Sequence, residues 1–227
     1  MQRNAAALVD GPKVRKVEIR PFTSEEIAKL IAQLESERLG PLYFTALSLG
    51  LRQGEVLGLS WKDLDLDKNT IKVSKSLQRV DRVLTLVEPK TEKSRRTLAI
   101  PDTLAKMLKR RRSTQFEDRL AAGAEWYDSG LVFTTQQGKP LDGLNVTRNF
   151  KRVLKKADVP QRRFHDLRHT AASVLVSRKV HPRAVMEMLG HAEIRTTMDI
   201  YSHISTEVRQ DTADQMDAVL MTAGAAV

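Results

Sequence analysis

Residues Phe164 to His203 read FHDLRHTAASVLVSRKVHPRAVMEMLGHAEIRTTMDIYSH, and the rest of the chain is organised around them. The stretch opens on His165-Asp166-Leu167-Arg168-His169-Thr170, reaches Leu189-Gly190-His191 and closes on Tyr201, one of three tyrosines in the chain. Leu167, Ala171, Val174 and Leu175 recur at helical spacing, which predicts a buried helix over 165–178. Pro182 suits the first turn of a second helix, whose Val185, Met188 and Leu189 face inward. Gly190 ends that helix and leaves His191 just past its terminus. His165 and Arg168 stand three apart, so they share a helix face, off the apolar stripe and toward a cleft. A cation beside a titratable imidazole suits an anion, most naturally a phosphate. A tyrosine held nearby is a nucleophile for that phosphate.

Working back toward the N-terminus, residues 144–157 read as a helix with one basic side: Arg148, Lys151, Arg152, Lys155 and Lys156. Arg162 and Arg163 follow it, and with Lys151, Arg152 and Lys155 they form the predicted DNA-contact surface. Leu131-Val132-Phe133-Thr134 reads as a short strand, turning at Gln137-Gly138-Lys139-Pro140. Pro101-Asp102 starts a long helix to about Ala121, and its run Lys109-Arg110-Arg111-Arg112 reads as a solvated face, with contact to backbone phosphates as the other reading.

Thr70–Ser74 and Arg82–Glu88 alternate as strands, and Arg96–Ile100 is expected to pair back across a hairpin tip, Pro89-Lys90-Thr91-Glu92-Lys93-Ser94. Trp61–Asp67 reads as a turn region. Leu42–Leu49 is an apolar helix, and another begins at Val56. Arg52 lies between them near a helix start, where backbone donors favour an anion, and Glu55 is placed to brace it. Thr23-Ser24-Glu25-Glu26 is a capping box, followed by Ile27, Leu30, Ile31 and Leu34. Residues 1–20 read as a connector. The fold class is α+β: mainly helical, with a small antiparallel sheet of about three strands.

The chain's 227 residues suffice for one good-sized domain, and its net charge of +10 predicts a polyanionic partner. The absence of cysteine excludes a disulfide framework and a cysteine-held zinc. No apolar run is long enough to span a bilayer, so a soluble protein of the cytoplasm with no membrane partner is the expectation.

These residues in this order resemble the tyrosine recombinases, the phage integrase family. That family's pattern is an early arginine, a hairpin lysine, a His-x-x-Arg pair, a His or Trp after Leu-Gly, and a tyrosine. The matches here are Arg52, Lys90, His165, Arg168, His191 and Tyr201, and the resemblance covers roughly residues 20–205. It implies a site-specific recombinase, a phage or mobile-element integrase acting in the bacterial cell. DNA would be broken and rejoined through a 3′-phosphotyrosyl intermediate, with no metal and no other cofactor.

The implied roles are Tyr201 as nucleophile and His165 as acceptor of its proton. Arg52 and Arg168 would clamp the non-bridging oxygens with help from His191, and Lys90 would act as general acid. The implied partners are double-stranded DNA attachment sites, further copies forming a homo-tetramer on DNA from a monomer in solution, and an accessory DNA-bending protein. The implied organisation is a linker remnant at 1–20 from a missing N-terminal core-binding domain and a catalytic domain at 21–206. A tail helix at 207–227, with an apolar stripe of Val208, Met216, Val219 and Leu220, would be exchanged between protomers.

Other readings stay open at this level. His165 and His169 stand four apart, the spacing of a zinc-dependent hydrolase, with Asp166 following His165 as a glutamate does in zinc peptidases. A DNA-binding module without catalysis is a second. A type IB topoisomerase keeps the tyrosine chemistry and changes the task. His169 and His203 match no catalytic element of the pattern.

Overall fold

The computed structural model describes residues 20–88 and 95–190. Three helices come first: α1 (Ser24–Leu34), α2 (Gly40–Leu49) and α3 (Gln53–Leu57). The expected capping box starts α1: Thr23 Oγ1 accepts from the Glu26 amide at 3.2 Å, and Glu26 Oε2 accepts from the Thr23 amide at 2.9 Å. Pro41 sits in the first turn of α2, where its missing N–H is no loss, and Gly50 ends the helix at φ 58°. Leu42, Tyr43, Thr45, Ala46, Leu47 and Leu49 are all buried, so α2 is covered nearly all round. Helices α1 and α3 pack on it, as do α4 (Asp102–Ala122) and α6 (Asp166–Ser177). Helix α3 starts three residues earlier than the sequence suggests, because Glu55 satisfies the Arg52 amide and caps it.

The strands depart most from expectation. Short β1 (Leu64–Asp65) occupies part of the predicted turn region and pairs with β2 (Thr70–Val73), which pairs in turn with β5 (Arg96–Ala99). Strands β3 (Ser76–Val80) and β4 (Val83–Val87) form a separate two-stranded ribbon. Strand β5 therefore pairs with β2 and not with the Arg82–Glu88 segment. The reason is burial: Ile71 faces Leu98 across the β2–β5 pair and both are buried, whereas β4 has no buried residue. The ribbon turns through Asp81 (φ 46°) and Arg82 (φ 67°), the two positive values of a two-residue hairpin loop, on residues that carry no Asn-Gly signal. Residues 89–94, with Lys90 and Lys93, lie outside the described residues and connect β4 to β5.

Leu131–Thr134 is not a regular strand. It makes two isolated bridges, Ser60 to Leu131 and Thr134 to Pro140. Side chains take its carbonyls: Gln115 Nε2 donates to Leu131 O at 3.0 Å, and Arg111 Nε donates to Val132 O at 3.2 Å. Arg111 is accordingly buried, and pairs with Asp118 at 3.4 Å, so the run from Lys109 to Arg112 is not the uniformly solvated face expected.

Helix α5 (Gly143–Lys156) packs on α1 and α3. Tyr43, Phe150 and Phe164 meet at centroid distances of 5.0–6.0 Å and join α2, α5 and the entry to α6. Helix α6 buries Leu167, Ala171, Ala172 and Val176, while the expected stripe residue Val174 faces outward. Helix α7 (Pro182–Leu189) follows the prediction: Val185 and Leu189 are buried, and Gly190 ends it at φ 66°. Among the described residues no helix is long and apolar enough to cross a membrane.

Candidate active site

The loop between α2 and α3 meets α6 at the centre of the site. Arg168 on α6 is 3% exposed, and its Nη1 donates to the Gly50 carbonyl at 2.7 Å. A Cβ on Gly50 would stand 2.3 Å from Leu189 Cδ2 on α7 and in ordinary contact, 3.8 Å, with Arg168 Cγ, so a larger residue here would push the Leu189 side chain aside, and the positive φ favours glycine. Nη2 of Arg168 is buried and has no hydrogen-bond partner among the described residues. Burial first, and then the positive charge of Arg52, push the Arg168 guanidinium down to about 9.

Arg52 follows Gly50 by two residues. Its side chain is 45% exposed, and its Nη1 donates to Glu55 Oε1 at 2.9 Å. The Arg52 amide donates to Glu55 Oε2 at 2.9 Å, so this backbone donor, expected to favour an anion, is already taken by a carboxylate. Glu55 also receives Arg96, whose Nη1 and Nη2 reach Oε1 at 3.3 Å and Oε2 at 3.1 Å. Burial works against the Glu55 carboxylate, but the two arginines outweigh it and hold it below the usual carboxylate range. Three guanidinium groups around one carboxylate leave a local excess of positive charge at the Arg168 end.

His165 precedes the first residue of α6, with its ring 4.8 Å from that of His169 in an edge-to-face contact. Desolvation, then Arg168 and Arg52, push the His165 imidazole below its ordinary value. It is therefore neutral at pH 7 and free to accept a proton. Asp166 is committed elsewhere: Oδ2 accepts from the Arg163 amide at 2.8 Å and Oδ1 from Arg163 Nη2 at 2.9 Å. Thr170 Oγ1 donates to the Asp166 carbonyl and accepts from the Phe22 amide at 3.0 Å, fixing the start of α6 to the entry of the fold.

The predicted basic surface divides in two. Gln53, next to Arg52, donates to Gly143 O at 3.1 Å and Thr147 Oγ1 at 2.9 Å. The i,i+4 row that begins with these two continues to Lys151 and Lys155, both exposed. Gln161 Nε2 donates to the Lys151 carbonyl at 3.0 Å, so the loop leading to Arg163 and His165 lies against the same row. Arg152 is exposed as well. Arg162 is committed to the fold: Nε donates to Arg20 O at 3.1 Å, Nη2 lies 3.7 Å from Glu26, and the guanidinium covers Phe22. An open groove of about 850 Å³ lined by Trp61, Lys109, Arg112 and Phe116 contains none of the predicted site residues.

Arg52, Glu55, His165 and Arg168 are thus brought together, while Lys90, His191 and Tyr201 lie outside the described residues. Sequence reasoning missed Arg96. Its signal was strand parity, since Arg96 shares a face with buried Leu98 whereas Arg95 does not.

A mainly helical domain with small antiparallel sheets and a paired arginine–histidine site defines a protein of the tyrosine recombinase class. The chain belongs to the phage integrase family, whose profile matches residues 20–207. A tyrosine recombinase XerC-like protein of Caldanaerobacter subterraneus subsp. tengcongensis is 37% identical over 224 residues, covering 92% of this chain and 57% of that one. An integrase of Saccharopolyspora erythraea is 30% identical over 269 residues, covering 96% of this chain and 61% of that one. This chain thus spans about three fifths of the length of these relatives. The Tn1549 transposon integrase, solved with transposon right-end DNA, matches at a TM-score of 0.76 over 95% of this chain and 70% of that one. At 21% identity that likeness speaks to the fold. These findings do not support the zinc-hydrolase alternative, and Asp166, bound to Arg163, is not placed as its base.

Proposed function

We propose that the chain is the catalytic part of a site-specific DNA recombinase of the integrase type, which breaks and rejoins DNA through a 3′-phosphotyrosyl bond. One observation carries the reading: Arg168 buries a guanidinium whose Nη2 has no partner among the described residues, within a cluster that holds more cations than anions. A buried unpaired donor is costly, and a phosphodiester oxygen would satisfy it and offset the mutual repulsion of Arg52 and Arg168. Neutral His165 stands beside this position.

The chemistry follows. Tyr201 Oη attacks the phosphorus and passes its proton to His165. Arg52 and Arg168 take the charge that builds on the non-bridging oxygens, and His191 adds a hydrogen bond. The bond to the 5′-oxygen breaks, and Lys90 protonates the departing oxygen. The phosphotyrosyl bond retains the energy of the broken diester, so a 5′-hydroxyl of a second duplex reverses the attack and rejoins the DNA.

DNA attachment sites are the partner, and Lys151, Arg152, Lys155 and Arg163 supply backbone contacts. Four copies act together on DNA, assembled from monomers with an accessory DNA-bending protein. Residues 1–19 and 207–227, expected as a linker remnant and as a tail helix exchanged between protomers, lie outside the described residues. The test uses DNA carrying the junctions of the element that encodes the protein. The chain should form a covalent adduct stable to denaturant, and Tyr201→Phe should bind this DNA without forming it. An adduct that survives Tyr201→Phe would refute the reading.

A further inference from the structure

Arg96 begins β5, and its side chain is 8% exposed, unusually low for an arginine. All three of its nitrogens are engaged. Nη1 and Nη2 grip the two oxygens of Glu55 in a fork, and Nε donates to the Met188 carbonyl at 2.8 Å. Met188 lies in the last turn of α7, where carbonyls lack partners within the helix. The guanidinium then passes against Gly190: a Cβ there would stand 2.8 Å from Nη1 and 3.1 Å from Cζ. The opposite side of Glu55 holds both the backbone amide and the Nη1 of Arg52.

We infer that Arg96 is a positioning residue for DNA cleavage, locking the Glu55 carboxylate that aims Arg52 to the end of the helix that leads into His191. This rests on the reading of Arg52 as a phosphate clamp. Arg52 puts one donor on each Glu55 oxygen, its amide on Oε2 and its Nη1 on Oε1, but that Nη1 belongs to a half-exposed side chain that does not by itself hold the carboxylate plane. The fork from Arg96 fixes that plane, and with it the direction of the exposed Arg52 guanidinium. Because the same side chain holds Met188, the start of β5, the brace of Arg52 and the C-terminus of α7 keep one spacing. In sequence β5 closely follows residues 89–94 and α7 closely precedes His191, so Arg96 ties the brace of Arg52 to the end of α7. A lysine at this position keeps the charge and loses the fork.

The experiment measures covalent adduct formation on element-junction DNA, using the whole chain, at saturating and at limiting DNA. Arg96→Lys should lower the rate at saturation roughly 10²-fold, as a misplaced reacting group does, and leave the half-saturating DNA concentration unchanged. Glu55→Gln should produce the same split, and the double variant should be no slower than the slower single one. A substrate with sulfur at the bridging 5′ position should leave Arg96→Lys slow, because the lost function is the clamp and not the acid. Sulfur rescue of Arg96→Lys, additive losses in the double variant, or a parental rate for Arg96→Lys would each overturn the inference while the recombinase reading stands. A parental chain that makes no Tyr201-dependent adduct would overturn both.

Discussion

Arg168 and Gly50 lie 118 residues apart in sequence and are joined by a 2.7 Å hydrogen bond from a buried guanidinium to a backbone carbonyl. That bond fixes α6 to the loop carrying Arg52, so the two arginines of the site share one reference point. Its dependence on glycine makes it testable. Gly50→Ala would add a methyl 2.3 Å from Leu189 at a positive φ. The variant should lose roughly 1–3 kcal/mol of stability by chemical denaturation. Cleavage should fall further than the folded fraction does, since a strained backbone at residue 50 would move the carbonyl that holds Arg168. A variant as stable as the parent would show that α7 yields freely at this contact.

The pH dependence should carry the signature of the histidine pair. His165 and His169 are both held below their ordinary value, His165 by desolvation and then Arg168 and Arg52, His169 by desolvation and then His165. Between the depressed folded value and the ordinary value near 6.5, the unfolded chain binds more protons than the folded one. Stability present above pH 6.5 is therefore lost as pH falls toward the folded value. Melting temperatures from pH 8 to pH 5 should drop less steeply for His165→Asn than for the parent. Parallel curves would place the titration elsewhere.

The basic surface should separate DNA contacts from structural arginines. Lys151→Ala and Lys155→Ala should each weaken DNA binding at every sequence and reduce the slope of log affinity against log salt by about 1. Arg162→Ala should leave the slope unchanged and cost on the order of 1 kcal/mol of stability, because its partners are Arg20, Glu26 and Phe22. A slope change for Arg162→Ala would put this residue on DNA after all.

The general acid is assigned by leaving-group chemistry. Lys90→Ala should cleave ordinary DNA about 10²–10⁴-fold slower, the usual cost of losing a general acid. A bridging 5′ sulfur needs no proton to depart, so that substrate should return Lys90→Ala to nearly the parental rate. Lys93→Ala should resemble the parent on both, and Arg168→Ala should stay slow on both. Rescue of Lys93→Ala in place of Lys90→Ala would move the acid along the connection.

What the sequence determined by itself is what interactions within about four residues control. The Thr23–Glu26 box, the span of α4, the proline start and glycine end of α7, and the brace of Arg52 by Glu55 all fall in that range. The ordered residues from Arg52 to Tyr201 likewise made the family legible without coordinates. Tertiary structure decided the strand partners and the fate of each cation. Strand β5 joins β2 because Ile71 and Leu98 must share a buried face, a requirement invisible in the alternation of either segment. In the sequence Arg111 and Arg162 look like any surface arginine, and only strand parity sets Arg96 apart. Their carboxylate and carbonyl partners lie as many as 142 residues away, and Lys151 and Lys155 stay exposed because no such partners converge on them among the described residues. A cation is buried only where the fold supplies acceptors to replace its water, and those acceptors come from distant parts of the chain.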